Sequence, residues 1–291
     1  MKRVWRSIWF QFRDVFCSKA FWAATSLVCI LFLLTDINYY ENGNECRTIL
    51  ELWLMKGTDW ISVHIDTSWQ EVFLNQPQSS ITGYGIFIVS IPYVMSHYRE
   101  KKSGMLRAKC FREGKVSFCL SRVLVGALSG GCCMLLGAAL FMIIVRQIFP
   151  GVEQLAANGT FWDAEHLEAY NSILVMLEQM KNMFLYGMMM SVFCILLSTF
   201  TNDIFICLML PFVLNWMSYI LQAYLTSLVD IEYPDARGGG WNIIRWFRQY
   251  TTLPDAIWSP AGQGTFVVLG AVLISLLVHW WQMRRKVDFG A

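Results

Sequence analysis

The clearest pattern of side chains that could do chemistry is a row of uncharged polar residues in an otherwise apolar stretch. The row has the i, i+3, i+4, i+7 spacing of one helix face and consists of Asn215, Ser218, Tyr219 and Gln222. Such a face could line a transport path and bind a partly polar substrate. It could equally hydrogen-bond to neighbouring helices, with each contact worth about 0.6–2 kcal/mol in a membrane. The spacing leaves both interpretations open.

Two other groups of side chains have the types that bind metal ions. Acids and a histidine lie together within residues 163–168, and methionines recur at helical spacing within residues 176–183. A metal site of either kind usually needs further histidine or cysteine ligands, and none is close in sequence. The acids favour a solvated helix face and the methionines favour adaptable apolar packing. We therefore expect no metal site.

No sequence motif for catalysis or nucleotide binding is present. The chain has no P-loop, no H-E-x-x-H, no G-x-S-x-G and no C-x-x-C pair, and its four histidines are scattered. The sequence therefore predicts a protein that is not an enzyme and that holds no cofactor of its own. An intramembrane enzyme is the least favoured class.

Composition indicates which elements must position these residues. The chain is 56% hydrophobic and only 15% charged, against roughly 25% charged for a soluble protein, and its apolar residues are concentrated in runs long enough to cross a bilayer. We predict a single all-α integral membrane domain over residues 1–291. Its six transmembrane helices are expected at residues 20–36, 81–98, 122–146, 182–200, 204–226 and 265–283.

The distribution of charge predicts the orientation of these spans. The segments assigned to one side carry a net charge of +11 and those on the other side −9, which together give the overall +2. Because cytoplasmic loops are enriched in Lys and Arg, both termini are expected in the cytoplasm. The near-neutral total gives no indication of a nucleic-acid partner.

The segments outside the spans also have recognisable patterns. Residues 1–19 have apolar and basic faces at helical spacing, which predicts an amphipathic elbow helix on the cytoplasmic membrane surface, with lipid as a partner. A simple basic anchor is the alternative. The outer segments 37–80, 147–181 and 227–264 are too polar to cross a membrane, and the first is expected to form one or two amphipathic helices.

The most specific stretch is the inner loop at residues 99–121. With the residues on either side of it, the loop reads Tyr98-Arg99-Glu100-Lys101-Lys102-Ser103-Gly104-Met105-Leu106-Arg107, followed by Gly114-Lys115 and Ser121-Arg122-Val123-Leu124. This loop, the elbow and the six spans resemble the membrane subunits of ABC-2 type exporters. In that family the second span ends in an acid-basic-x-x-Gly pattern that leads into a cytoplasmic coupling helix.

The resemblance implies a permease subunit that pairs with a second permease subunit, of the same or a homologous chain. It also implies separate ATPase subunits, which would bind ATP and Mg²⁺. Glu100, Gly104 and Arg107 would then lie at the coupling element; the alternative is a solvated basic loop that only satisfies the positive-inside rule. The implied location is the plasma membrane, with a bacterial source expected, and the implied substrate is an amphipathic or hydrophobic peptide, lipid-linked molecule or drug.

A second functional class also fits the sequence. The chain could be a non-transporting membrane sensor or assembly factor that binds a partner through its aromatic outer segments. The two classes differ in whether an ATPase accompanies the chain.

The cysteines allow a test of the predicted topology. Of nine, only Cys46 is expected on the outer side of the membrane, either as a free thiol or in an intermolecular bridge. After mild reduction of intact cells, a membrane-impermeant maleimide is expected to label Cys46 and no other cysteine, and the Cys46→Ser variant is expected to remain unlabelled. Labelling of Cys17 in intact cells would contradict the predicted orientation.

Overall fold

The computed structural model describes residues 2–40, 44–65, 67–80, 86–157, 173–201, 203–213, 216–217, 220 and 263–285. The chain is predominantly helical in these ranges. A short hairpin, β1 (Asp36–Tyr40) and β2 (Asn44–Thr48), follows the second helix. The helices are α1 (Lys2–Phe16), α2 (Lys19–Leu33), α3 (Ile49–His64), α4 (Trp69–Ser80), α5 (Ile86–Lys102), α6 (Met105–Glu113), α7 (Lys115–Ile148), α8 (Val152–Ala157), α9 (Ile173–Ser198), α10 (Ile204–Val213) and α11 (Gln263–Arg285).

Two of the described helical stretches, Lys115–Leu155 and Ile173–Ser198, are long and apolar enough to cross a membrane. A third is added if the bent pair Trp5–Phe16 and Lys19–Leu33 forms one span, and the apolar parts of α10 and α11 are shorter. These findings confirm a helical fold with membrane-capable helices. The count of six spans and the orientation of the termini stay predictions.

The helices extend beyond several of the predicted spans. α7 begins at Lys115 instead of residue 122, and α9 begins at Ile173 instead of residue 182. The spans were predicted from the lengths of apolar runs. A helix continues through a polar turn as long as its backbone hydrogen bonds are made, so it can extend beyond the apolar run. The inner segment 99–121 is therefore divided between the end of α5, all of α6 and the first two turns of α7.

Helix α7 lies at the centre of the described structure. It contacts α1, α2, α3, α4, α5, α6, α9 and α11, and residues along its whole length are buried. Against α2, Phe141 packs edge-on to Phe32 with 5.3 Å between ring centroids. A Cβ atom on Gly137 would lie 2.6 Å from Val28, which shows how closely these two helices approach. The other helices are thus arranged around α7.

The tightest contact joins α7 to α9. A Cβ atom on Gly130 would lie 2.5 Å from the carbonyl oxygen of Gly187, and one on Gly187 would lie 2.5 Å from that of Gly130. Beside this crossing, the Ser191 hydroxyl donates to the carbonyl of Gly126 at 2.6 Å. The Gly126-x-x-x-Gly130 pattern predicts close helix packing, and the structure confirms it.

The N-terminal segment forms the predicted elbow shape. α1 and α2 meet at a 62° bend, where the Ser18 hydroxyl accepts a hydrogen bond from the backbone N–H of Phe21 and caps α2. Trp5 and Trp9 are exposed, whereas Val15 is buried in the core. An exposed aromatic face on a helix held at an angle to the next is the geometry expected of an interfacial helix.

The outer segment 37–80 was predicted to contain only helices, but it begins with a β-hairpin. Its strands pair antiparallel from Asp36 opposite Thr48 to Tyr40 opposite Asn44, and two helices, α3 and α4, follow as expected. The available signal was the Asn42-Gly43 dipeptide, which is typical of tight hairpin turns. Within α3 the backbone breaks at Gly57, where φ is +78°, so α3 is kinked.

Substitution of Gly130 tests the contact between α7 and α9. Gly130→Ala is expected to lower the unfolding temperature in detergent, because overpacking costs about 1–3 kcal/mol. Gly270→Ala in α11 is the matched control, since nothing lies within 4 Å of its added methyl group and alanine favours a helix over glycine. The contact would be contradicted if both variants were equally stable.

Candidate functional site

The candidate site is built on the connection from α5 through α6 to α7. Each end of α6 is set by a glycine with positive φ, Gly104 at +71° and Gly114 at +83°. Space does not require these glycines, because no atom lies within 4 Å of an added Cβ at either position. The backbone conformation requires them, since residues other than glycine rarely adopt a positive φ. The two sharp turns, one at each end, thus separate the short helix α6 from the longer helices α5 and α7.

The carboxylate of Glu100 joins all three helices. Its Oε1 lies 2.6 Å from the Nζ of Lys109 on α6, and its Oε2 pairs with the guanidinium of Arg122 on α7. Charge-assisted hydrogen bonds of this kind are about twice as strong as neutral ones. We call Glu100, Lys109 and Arg122 the clamp, because together they fix α6 to both neighbouring helices.

Arg122 is the most buried member of the clamp, with only 4% of its surface exposed. It also contacts the Nδ1 of His97 on α5, and its guanidinium lies 4.7 Å from the ring centroid of Phe118. A buried cation needs a charged partner, because its desolvation otherwise costs several kcal/mol. Glu100 supplies that partner, so the packing of α5 on α7 depends on the ion pair.

Helix α1 is attached to the same assembly through polar side chains. The hydroxyl of Ser7 donates to a carboxylate oxygen of Glu113 at 2.6 Å, and the amide of Gln11 donates to the hydroxyl of Ser121 at 3.1 Å. Ser7 is buried. The elbow helix is therefore linked directly to the end of α6 and to the start of α7.

The outer surface of α6 carries unusually exposed apolar side chains. Phe111 is 88% exposed and Met105 is 50% exposed, and Val116 is exposed just beyond Gly114. Arg112 and Lys115 beside them are also exposed. Burial raises the pKa of the Cys110 thiol on this helix, so that thiol stays protonated at neutral pH. Exposed apolar side chains with cations beside them are features that protein-binding surfaces share.

The structure describes the surroundings of two of the three predicted coupling residues. Glu100 is engaged internally by the clamp, and Gly104 forms the turn before α6. Arg107 lies on the first turns of α6, and its side chain is outside the described residues. Arg122 stands in the stretch that resembles the exporter subunits, but no role was predicted for it, and Lys109 and His97 were not singled out. A cation next to an apolar run was the available signal for Arg122, because such a residue must find a partner if it is buried.

The predicted substrate path is not covered by the structure. Its residues, Asn215, Ser218, Tyr219 and Gln222, lie outside the described ranges, as do residues 163–168. Within the ranges that are described, no group of three His, Cys, Asp or Glu side chains could hold a metal ion. The expectation that this chain holds no cofactor stays a prediction.

Comparison with known proteins adds no identification. No protein-family model matches the chain, and no curated protein matches it either.

Removing the charge of Glu100 tests the clamp. Glu100→Gln leaves the buried Arg122 without its carboxylate, which is expected to cost about 3 kcal/mol of stability. The measurement is the unfolding temperature in detergent, together with the rate of tryptic cleavage in the connection from α5 to α7. We expect a lower temperature and faster cleavage.

Glu178→Gln is the matched control for this experiment. Glu178 pairs with Lys181 at 3.1 Å, but both side chains are about half exposed, and exposed pairs contribute at most about 1 kcal/mol. Equal effects of the two substitutions would show that the clamp does not stabilise the connection.

Proposed function

We propose that this chain is the membrane-spanning permease subunit of an ATP-driven exporter of the ABC-2 type. The observation that carries the proposal is the short helix α6, which lies between two glycine turns, is clamped to α5 and α7, and exposes Phe111. An ATPase that works through a separate chain needs a rigid element to which it can bind and through which it can move the spans. α6 has both properties.

The clamp provides the mechanical part of the proposal. Because Glu100 connects α6 to α5 and α7, a displacement of α6 moves the ends of both helices as one unit. α7 contacts most of the other described helices, so its movement is passed to the rest of the bundle. Close-packed helices shift between discrete arrangements rather than deform continuously, which suits an alternation between two transport states.

The exposed face of α6 provides the binding part. Phe111 and Met105 would enter an apolar groove on the ATPase, and the nearby Arg112 and Lys115 would contact its acidic rim. Exposed aromatic side chains surrounded by polar residues are the common anchors of protein interfaces. ATP and Mg²⁺ would be bound by that partner, and this chain would contribute no catalytic group.

The rest of the proposal concerns what is moved and where. In the sequence-based topology the row from Asn215 to Gln222 lies within the fifth span, where uncharged polar groups would contact an amphipathic substrate such as a peptide, a lipid-linked molecule or a drug. A second permease subunit would complete the path. The protein would lie in the plasma membrane, with α6 in the cytoplasm.

Affinity purification from native membranes tests the proposal. The wild-type chain is expected to recover a P-loop ATPase, identified by mass spectrometry. Phe111→Ala is expected to reduce that recovery, because a truncated anchor residue typically costs about 2 kcal/mol of binding, which is about thirtyfold in affinity. Its unfolding temperature should not change, since Phe111 makes little contact with the chain itself.

Phe200→Ala is the matched control, because Phe200 is also exposed and lies on the predicted cytoplasmic side but not on α6. Equal recovery from both variants would remove α6 as the contact. If the wild type recovers no ATPase, the exporter proposal fails.

One observation favours the second candidate function, a sensor or assembly factor. The outer helix α3 exposes Leu54, Met55 and Val63 beside the hairpin, which gives an apolar surface on the predicted outer side. Recovery of an extracytoplasmic protein in place of an ATPase, lost on substitution of Leu54 by Ser, would support that function.

A further inference from the structure

A cationic groove lies next to the clamp but is not part of it. It is formed by the last turns of α5 and by the connection from α9 to α10, and its volume is about 1100 Å³. Among its described lining residues are three cations, Arg99, Lys101 and Lys102, and one carboxylate, that of Asp203. Asp203 also accepts a hydrogen bond from the backbone N–H of Phe205 at 2.9 Å. The groove therefore has an excess of positive charge and favours an anionic ligand.

The groove is held open by fixed contacts at its base. The hydroxyl of Tyr98 lies 3.1 Å from the carbonyl oxygen of Thr201 and 3.0 Å from that of Asp203. The ammonium group of Lys101 donates to the same Thr201 carbonyl at 3.4 Å. These contacts fasten the start of α10 to the end of α5.

The polarity of the groove changes along its length. On α5, Met95, Arg99 and Lys102 follow the i, i+4, i+7 spacing of one helix face, and Met95 lies about 10 Å along the axis from Lys102. On the opposite wall Ile204 and Ile206 continue the apolar part. One end of the groove is thus apolar and the other is cationic.

This gradient matches the position of the groove relative to the predicted membrane. The second span is expected to end at residue 98, with the cations beyond it on the cytoplasmic side. Met95 would then lie at the depth of the upper acyl chains, and the three cations at the depth of the phosphate groups. Cations near an anionic leaflet each contribute about 1 kcal/mol to binding, so the site fits a molecule that has an anionic head and an apolar tail.

We propose that this groove binds an anionic phospholipid of the cytoplasmic leaflet. Its phosphate lies among Arg99, Lys101 and Lys102, and the first carbons of its acyl chains lie against Met95 and Ile206. A bound lipid would bridge α5 and α10 at the membrane surface. This binding does not depend on an ATPase, so it goes beyond the proposed transport function and can fail or hold independently of it.

Native mass spectrometry of the purified, delipidated chain tests the proposal. The chain is titrated in detergent with phosphatidylglycerol and, separately, with phosphatidylcholine, and the bound lipids are counted. The wild type is expected to retain phosphatidylglycerol in preference to phosphatidylcholine. The double variant Arg99→Gln, Lys102→Gln is expected to bind phosphatidylglycerol roughly thirtyfold more weakly, because two cations are lost.

The matched control is Arg112→Gln, Lys115→Gln, which removes two exposed cations of the same region that do not line the groove. This variant is expected to bind phosphatidylglycerol as the wild type does. The proposal is overturned if both double variants lose binding equally, or if the wild type does not distinguish the two lipids.

Two further arms separate the lipid from other anions. Inorganic phosphate, compared with chloride at matched ionic strength, is expected to leave the phosphatidylglycerol bound; displacement by phosphate would show that the groove recognises a free anion and would overturn the lipid assignment. A groove variant that keeps its lipid but no longer recovers an ATPase would place a protein partner in the groove, which also overturns the proposal.

Discussion

Two helix backbones meet without side chains between them where Gly130 of α7 faces Gly187 of α9. In a bilayer the hydrophobic effect does not drive helices together, so association depends on van der Waals contact and on hydrogen bonds between helices. Glycine at both positions gives that contact, and the Ser191 hydroxyl adds a hydrogen bond to the carbonyl of Gly126. With α7 held in this way on one side, its other faces are available to α2, α4, α5 and α11.

The same helix is also fixed by charge, nearer its N-terminus. Arg122 is buried where α7 meets α5, and the partner it requires, Glu100, also binds Lys109. Helix α7 thus has one contact made by shape and one made by an ion pair, about two turns apart. The glycine contact is insensitive to salt and pH. The ion pair connects α7 to the short helix α6. A change at α6 therefore acts on the helix that organises the bundle.

Sequence patterns predicted the features that depend on neighbouring residues. The glycine spacing in α7 and the amphipathic pattern of the first 19 residues are local signals, and each corresponds to an observed feature, whereas the glycine turns at each end of α6 were not predicted. The hairpin was missed because its strands are short and mostly polar, and only Asn42-Gly43 indicated it. The clamp was not predicted: Glu100 was selected for the pattern in which it stands, but its partner Arg122 is 22 residues away. A pairing across three helices depends on how they pack, which no local pattern specifies.

The hydrogen bond from Ser7 to Glu113 joins residues that are 106 positions apart, and this separation has a consequence for biosynthesis. At roughly 5–20 residues per second, α1 leaves the ribosome about 5–20 seconds before its partner exists. In that interval the polar side of α1 has no protein surface to bind, while its tryptophans can already enter the lipid interface. Helix α1 would thus bind the membrane surface first, and it would take its final position only after α6 and α7 have been synthesised.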